Sequence, residues 1–536
     1  MALPRHVVRT RAPQGPGGSA RCTTDPEVVA SFLQDAAHTP GGRAPAVCFP
    51  ASERQLADFV VGAPALLCVG AQSSLTGGAT PCGARVVSTA SLASIESVRS
   101  DRAVVGPGLV LRDLSAALAD RNLWYPPVPT YDGATIGGTV ATNAAGAATF
   151  AYGTTRDWIE GLTVVLANGE VLELRRGEIC ADAAGRFEIV MSDGSSVRFK
   201  RPDIAPPQVP KLSCGYFSAP DMDLIDLFIG SEGTLGIVTR VEIRVVKKPR
   251  QMSWLLTLAN EARALALTAA LRSASQRSRR DDDPNGIDVT AIEFADAPSI
   301  ELLVADAAPS RIGVPLQGDA QALLFVQMNL PADADDASIL DELARADDPL
   351  RDHPVAHLCK MLARHGALAT ALPALPSEDR KQAAFAALRE AVPDAVNRRI
   401  GAAQRIHGPS LTKAAADVIV PFPRLGEALA AYRAAAARHE LACATWGHVS
   451  DGNVHPNLLP DDAVAAARTS AALLEMGRKA IELGGAPMSE HGVGRNPIKQ
   501  QLLRELYGER GVESMRAIKR TLDPRGALAP GVLFET

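Results

Sequence analysis

The side chains best suited to chemistry are imidazoles and one carboxylate, gathered into two short stretches near the C-terminal end. One reads Trp446-Gly447-His448-Val449-Ser450-Asp451-Gly452-Asn453-Val454-His455-Pro456-Asn457, the other Ser489-Glu490-His491-Gly492-Val493-Gly494. Asp451-Gly452, between two apolar runs, favours a two-residue hairpin turn. Counting outward from it pairs Ser450 with Asn453, Val449 with Val454 and His448 with His455. Directly opposed strand residues hold their Cβ atoms roughly 4.5–5.5 Å apart on one face, so these two imidazoles could share a divalent ion. Glu490 is the candidate third ligand, and two His with one carboxylate leave coordination positions open for a substrate. The competing reading is a set of solvated or hydrogen-bonded loop histidines beside a glycine turn.

A second kind of chemistry is written in glycine. The run Val69-Gly70-Ala71-Gln72-Ser73-Ser74-Leu75-Thr76-Gly77-Gly78-Ala79-Thr80 follows an apolar strand and mixes glycines with small hydroxyl residues. Such a loop can turn backbone N–H groups inward and let a pyrophosphate approach closely, although a structural turn would look similar. It is not GxGxxG opening a helix, which disfavours a Rossmann site. Further on come Pro126-Pro127-Val128-Pro129-Thr130, Ala134-Thr135-Ile136-Gly137-Gly138-Thr139-Val140-Ala141-Thr142-Asn143-Ala144-Ala145-Gly146, Tyr152-Gly153-Thr154-Thr155-Arg156-Asp157, and Phe228-Ile229-Gly230-Ser231-Glu232-Gly233-Thr234-Leu235-Gly236-Ile237-Val238-Thr239.

In this order and spacing the glycine stretches closely resemble the PCMH-type FAD-binding domain of the vanillyl-alcohol oxidase superfamily. The similar subgroup holds D-lactate, glycolate and D-2-hydroxyglutarate dehydrogenases, and the likeness runs from about residue 40 to the C-terminal end. It implies an α+β chain: a two-subdomain FAD-binding domain, an α+β substrate (cap) domain and a C-terminal helical segment. It implies FAD contacts from Ala71, Gln72, Ser73, Ser74, Leu75, Thr76, Gly77 and Gly78. Others would come from Ile136, Gly137, Gly138, Thr142, Asn143, Gly146 and Gly153, and from Glu232, Gly233 and Ile237. The same resemblance places a divalent metal such as zinc, manganese or iron on His448, His455 and Glu490, His491 beside the flavin as general base, and Asn457 against a substrate carboxylate.

The implied reaction is oxidation of a small D-2-hydroxy acid to the 2-oxo acid. A metal would act as Lewis acid on the hydroxyl, His491 would take the proton, and the C2 hydride would pass to flavin N5. A substrate carboxylate also needs a cation, which relatives place within residues 397–413. A guanidinium suits it better than a point charge, so Arg398 or Arg399 is expected, the spacing around Lys413 matching poorly. A solvated surface charge is the alternative for either arginine. No His lies between His38 and His353 and the only Cys near the loop is Cys82, which favours non-covalent FAD. Where the family often has an Asn facing the flavin, this chain has Ala529. Two alternatives stay open: a flavoenzyme like alkylglycerone-phosphate synthase, or a flavin-binding subunit of a larger dehydrogenase complex.

These residues need a scaffold, and the rest of the chain supplies a plausible one. At 536 residues it exceeds one ordinary core, and 46% hydrophobic with 21% charged residues is a globular balance. Domain limits are expected at 1–40 (an arm), 41–249 (FAD), 250–423 (cap) and 424–536 (the histidine-bearing segment). LTVVLANGEVLEL carries Asn168-Gly169 between strand-like runs, a type I′ hairpin pattern. SWLLTLA and ALLFVQMNL read as strands, DDASILDELARA and DRKQAAFAALREAV as helices, and residues 277–286 as an exposed loop. The arginine-bearing residues 1–24 are expected as a disordered tail. Eight cysteines without a CxxC pair exclude a cluster-type electron outlet and read as reduced cytosolic thiols. Electrons would therefore go to a separate acceptor: a quinone, an electron-transfer flavoprotein or a cytochrome. A net charge of −5 gives no nucleic-acid footprint, and no apolar run reaches the ~18 residues of a membrane span. The expected location is the cytoplasm, with peripheral contact to the inner membrane as an option, and a homodimer is the default assembly.

Overall fold

A computed structural model describes residues 4–127, 129–316, 320–408 and 411–534. Val128 of the expected flavin stretch, and Pro409 and Ser410 of the expected cation segment, lie outside them. The apolar runs of the first half build two sheets. The first orders Arg21–Thr23, Val47–Phe49, Arg85–Ser88 and Leu66–Val69, the last three mutually parallel. The second is antiparallel, ordering Val171–Arg175, Ile159–Val165, Ile237–Arg244, Arg102–Val105 and Ile95–Val98. Helix Glu53–Gly62, capped by the Ser52 hydroxyl, buries Leu56, Ala57 and Val60. Those side chains meet Leu66 and Val87 of the first sheet and Val165 and Val171 of the second, so one core joins the two subdomains.

Three expectations about this half need correcting. The Asn168-Gly169 hairpin forms, but Leu166 donates to the Glu170 carbonyl at 2.8 Å, enclosing three residues rather than two. Only Gly169 takes a positive φ (83°), as in a type I turn closed by a left-handed glycine. Residues 1–24 are not a loose tail. Val7–Arg9 adds a parallel strand to Arg186–Val190 with Val7 and Val8 buried, and Arg11 pairs with Glu53 and Glu173. Nor are all cysteines reduced. Cys22 and Cys48 stand directly opposite on adjacent antiparallel strands and form a disulfide, a pairing that their spacing of 26 residues did not reveal.

The cap is built on an eight-stranded sheet. Its path runs Leu372–Ala374, Arg250–Leu258, Ala322–Leu330, Asp288–Asp296, Ala442–His448, Asn453–Leu459 and Ala414–Ala415, with Val418–Ile419 also paired to Asn453–Leu459. The sheet thus runs straight through residue 423, because strand Ala442–His448 finds its partner in Asp288–Asp296. The expected loop at 277–286 is helical as far as Asp281. Ala274, Ser275 and Ser278 turn inward, and both serine hydroxyls donate to carbonyls four residues back. The helical segment Pro497–Leu522, broken into two helices at Gly508, then returns to the first half, adding Leu502, Leu503, Val512, Met515 and Ile518 to its core. The histidine strands therefore belong to the eight-stranded sheet, whereas the loop carrying Glu490 and His491 lies between that sheet and the first half of the chain.

Candidate functional site

A cleft of about 310 Å³ opens where the loop after strand Leu66–Val69 faces helix Ile136–Thr142 and the turn around Glu232. Ala71, Gln72, Ser73, Ser74, Leu75 and Gly78 line it from one side; Gly137, Gly138, Thr142, Glu232, Gly233 and Ile237 line the others. Its glycines serve two purposes. A Cβ on Gly70 would lie 2.1 Å from the Thr135 hydroxyl, and one on Gly137 2.7 Å from Pro107, so these positions let loop and helix touch. A Cβ on Gly233 would meet no protein atom within 4 Å, and one on Gly138 only the Thr135 hydroxyl, at 3.2 Å. Those two backbones are left open for a ligand, and the neutral amides and hydroxyls of the loop 71–78 fit a pyrophosphate such as that of FAD.

Six expected flavin contacts stand behind the cleft instead. The Thr76 carbonyl accepts the Arg495 N–H and the Gly77 carbonyl accepts the Arg495 guanidinium. Ile136 is fully buried in the core. Asn143 closes its helix in a left-handed conformation and accepts the Arg156 N–H. Gly146 turns the chain toward Thr149, and Gly153, at φ 75°, packs on Asp157. Ala529 is buried beside strand Leu66–Val69, donating to the Leu66 carbonyl at 2.7 Å, and is not on the cleft wall.

Glu490 and His491 complete the lining. Their loop is held from both sides. Glu232 accepts the N–H groups of Val493 and Gly494 at 2.8 and 2.9 Å, and burial pushes its carboxyl up to about 7. Opposite, Asp417 accepts the N–H groups of Ser489, Glu490 and His491 at 3.2, 2.9 and 3.0 Å. Behind the loop, buried Lys499 donates to the Gly492 carbonyl.

His448, His455 and Glu490 converge, each offering a ligand atom within 4.8 Å of the others. The hairpin that carries the histidines has a different register from the one expected. Trp446, not His448, opposes His455, and a wider turn follows in which Asp451 donates to the His448 carbonyl and Gly452 to that of Val449. His448 instead opposes Glu293 on the neighbouring strand. Its Nδ1 meets the Glu293 carboxylate, and its Nε2 lies 3.1 Å from Glu490. Burial works against the imidazolium, but Glu293 and Glu490 outweigh it and raise His448 to about 9. Burial lowers His455 to about 4 and also depresses His491, with Asp417 opposing the latter. Two imidazoles and a carboxylate suit a divalent cation such as zinc, manganese or iron. Lys211 already sits on Glu490 Oε1, leaving Oε2, 3.9 Å from His455 Nε2, as the open donor.

Asn457 shares a strand face with His455; its amide donates to the His455 carbonyl, and its buried Oδ1 has no hydrogen-bond partner. The expected arginines are elsewhere. Arg398 pairs with Asp306 on the surface, and Arg399 is exposed. Arg389 lies nine residues before Arg398, half a turn around helix Asp379–His407, and faces inward, 4.0 Å from Glu293. Lys413 stands over Trp446, the residue paired with His455. Sequence reasoning also missed Lys211, Glu293, Asp417 and Asp451 as members of the cluster. Lys211 is wholly buried between Asp451 and Glu490. Glu293 and Asp417 each interrupt an apolar run, TAIEFA and AAADVIV, and a charge in such a run signals a buried partner. Lys211 carries no such signal.

Comparison with known proteins agrees with this architecture. Residues 258–533 match the family described as FAD linked oxidases, C-terminal domain, and residues 44–175 match the FAD binding domain family. The glycolate oxidase subunit GlcD of Bacillus subtilis is 29% identical over 435 residues, 81% of this chain and 75% of that protein. A probable mitochondrial D-lactate dehydrogenase of Danio rerio is 27% identical over 436 residues, 80% of this chain and 71% of its own. Among solved structures, 4-ethylphenol oxidase from Gulosibacter chungangensis superposes with a TM-score of 0.62 at 17% identity, covering 96% of this chain and 94% of that one, a likeness of fold. Among the described residues no helix is long and apolar enough to cross a membrane.

Proposed function

The chain belongs to the FAD linked oxidases, and from that premise we propose that it is a dehydrogenase of a small D-2-hydroxy acid, of the lactate, glycolate or 2-hydroxyglutarate class. The observation that carries this reading is the shared wall: Glu490 and His491 line the glycine cleft while Glu490 also meets His448 and His455. The names of the relatives, D-lactate dehydrogenase and glycolate oxidase subunit, support the substrate class.

FAD, when bound, supplies an isoalloxazine that accepts a hydride. A divalent ion on His448, His455 and Glu490 would supply Lewis acidity toward the substrate hydroxyl. The remaining work falls to side chains. His491, which burial keeps neutral near pH 7, accepts the hydroxyl proton as carbon 2 is oxidised. With Lys211 already engaged by Glu490 and Asp451, Arg389 beside Glu293 and Lys413 over Trp446 take over the carboxylate-binding role expected of Arg398 or Arg399, and the Asn457 amide nitrogen supplies a further N–H donor. Glu232 and Asp417 hold the Glu490–His491 loop against the cleft. Electrons leave to a separate acceptor: a quinone, an electron-transfer flavoprotein or a cytochrome.

The test is an anaerobic absorbance scan against D- and L-lactate, glycolate, D-2-hydroxyglutarate and D-malate, repeated after chelation. Bleaching of the flavin band by one D-acid, lost with chelator, is the expected result. A yellow protein that none of these acids bleaches would remove the dehydrogenase reading.

A further inference from the structure

Asp417 does more than pin a loop. It is 1% exposed, and both of its oxygens are crowded with donors. Oδ2 takes the three backbone N–H groups of Ser489, Glu490 and His491. Oδ1 takes the Ser489 hydroxyl and the Asn453 amide. Two imidazoles also face this carboxylate through the same ring nitrogen. His491 Nδ1 lies 3.4 Å from Oδ2, and His455 Nδ1 lies 3.6 Å from Oδ1. The two rings stack with centroids 5.5 Å apart.

Asp417, His455 and His491 are close enough together to suggest a second metal site. The donor count argues otherwise. Five donors already turn their positive ends toward this carboxylate and would repel a bound cation, whereas a ring N–H at longer range can still align with it. What it can still do is orient. In a neutral imidazole one nitrogen carries the proton and the other is an acceptor or ligand, and the hydrogen bond at one nitrogen decides which is which. His455 Nδ1 is buried and has no hydrogen-bond partner in the present geometry, a few tenths of an ångström from a bond to Asp417.

We propose that Asp417 is a positioning residue that fixes the tautomer of His455 and His491 together, holding each proton on Nδ1 and leaving each Nε2 bare. A bare Nε2 on His455 faces Glu490 Oε2, where an ion would be held. A bare Nε2 on His491 is the one able to accept a proton at the cleft. One buried carboxylate thus prepares the base and one metal ligand at once, and the backbone it grips keeps both in place. The catalytic consequence rests on the proposed dehydrogenase reading, whereas the tautomer assignment does not.

Long-range proton–nitrogen correlation spectra of the FAD-loaded, chelator-treated full chain, labelled with [15N]histidine, read the tautomers directly, with His455→Gln and His491→Gln as assignments. Both rings should carry hydrogen on Nδ1; a proton on Nε2 of either would overturn the proposal. Asp417→Asn places an amide donor against the rings and favours the other tautomer. In serine-protease triads the same exchange costs roughly 10⁴ in kcat through the wrong tautomer. Here the rate of flavin reduction by the acid that bleaches the native protein should fall about 1,000-fold, with KM changed less than about threefold and the flavin band retained. Ser489→Ala, which removes one donor from Asp417, should cost less than about tenfold. An Asp417→Asn protein within tenfold of native would refute the positioning role. Should that variant not fold, the spectra of the native chain decide. If no 2-hydroxy acid bleaches the native protein while both rings are Nδ1-protonated, the dehydrogenase reading fails and the assignment of Asp417 stands.

Discussion

The two halves of the site are made of different material. The cleft is built from backbone: glycines that let loop and helix touch, glycines left open on the wall, and neutral amides and hydroxyls drawn from contiguous stretches. The cluster beside it is built from ionisable side chains brought in by separate segments: Lys211, Glu293, Asp417, the 448–455 hairpin and Glu490. Backbone sites hold their shape when one side chain changes. Side-chain sites in a dry interior depend on every partner, because each removed charge leaves another uncompensated. Variants of the two halves should therefore fail in different ways.

The largest expected effect sets them apart most cleanly. His491→Gln removes the proposed base without touching the glycine wall. Flavin reduction should fall by about 10² to 10⁴ while FAD binding, followed by absorbance, is unchanged. Loss of the yellow colour in this variant would show that the two halves are not separable.

Next comes the response of the cluster to pH. His448 is raised to about 9 from 6.5, burial being overcome by Glu293 and Glu490. A raised folded pKa means that the protonated ring favours the fold. That contribution is complete below pH 6.5 and is lost as pH rises toward 9. Chelator-treated protein should lose stability across this window in urea titrations, and His448→Gln should flatten the loss. A metal on the same nitrogen replaces the proton, so the metal-loaded protein should also show the flatter profile. An unchanged slope in His448→Gln would place the titrating group elsewhere.

The same contrast explains what could be read in advance. The glycine stretches were legible because a backbone site is written in consecutive residues, and most of their members reach the cleft. Thr76, Gly77, Ile136, Asn143, Gly146 and Gly153 did not, because a motif records the packing behind a wall as faithfully as the wall itself. His448, His455 and Glu490 were found by residue type, yet the register that joins them was missed. A two-residue turn at Asp451-Gly452 was locally reasonable, but pairing of His448 with Glu293 on the next strand decided the geometry. Lys211 reaches the cluster from a loop with no pattern of its own, so nothing local could announce it.

Arg389 and Arg398 test that lesson on one helix. Nine residues apart, they point in opposite directions. Arg389→Leu should raise KM for the hydroxy acid about 10- to 100-fold, the loss of a charge-assisted bond worth roughly 1.5–3 kcal/mol. Arg398→Leu removes only a surface pair with Asp306 and should leave steady-state kinetics unaltered, at a stability cost of about 0–1 kcal/mol. Equal effects from the two would return the carboxylate contact to the outer face of the helix.

Ala529 gives the smallest expected effect, because three terms nearly cancel. Its φ of 44° is left-handed, a conformation that costs an L-residue roughly 1–2 kcal/mol. Ala529→Gly would relieve that strain. It would also add about 0.5–1 kcal/mol of backbone entropy to be lost on folding. It would further expose the space of a methyl group worth about 0.8 kcal/mol in the core that Ala529 joins. The net change should stay within about 1 kcal/mol by urea titration, with the flavin spectrum unmoved, since Ala529 backs strand Leu66–Val69 instead of lining the cleft. A shifted flavin spectrum would mean that the backbone at Ala529 reaches the cofactor after all, and would join the C-terminal turn to the backbone-built half of the site.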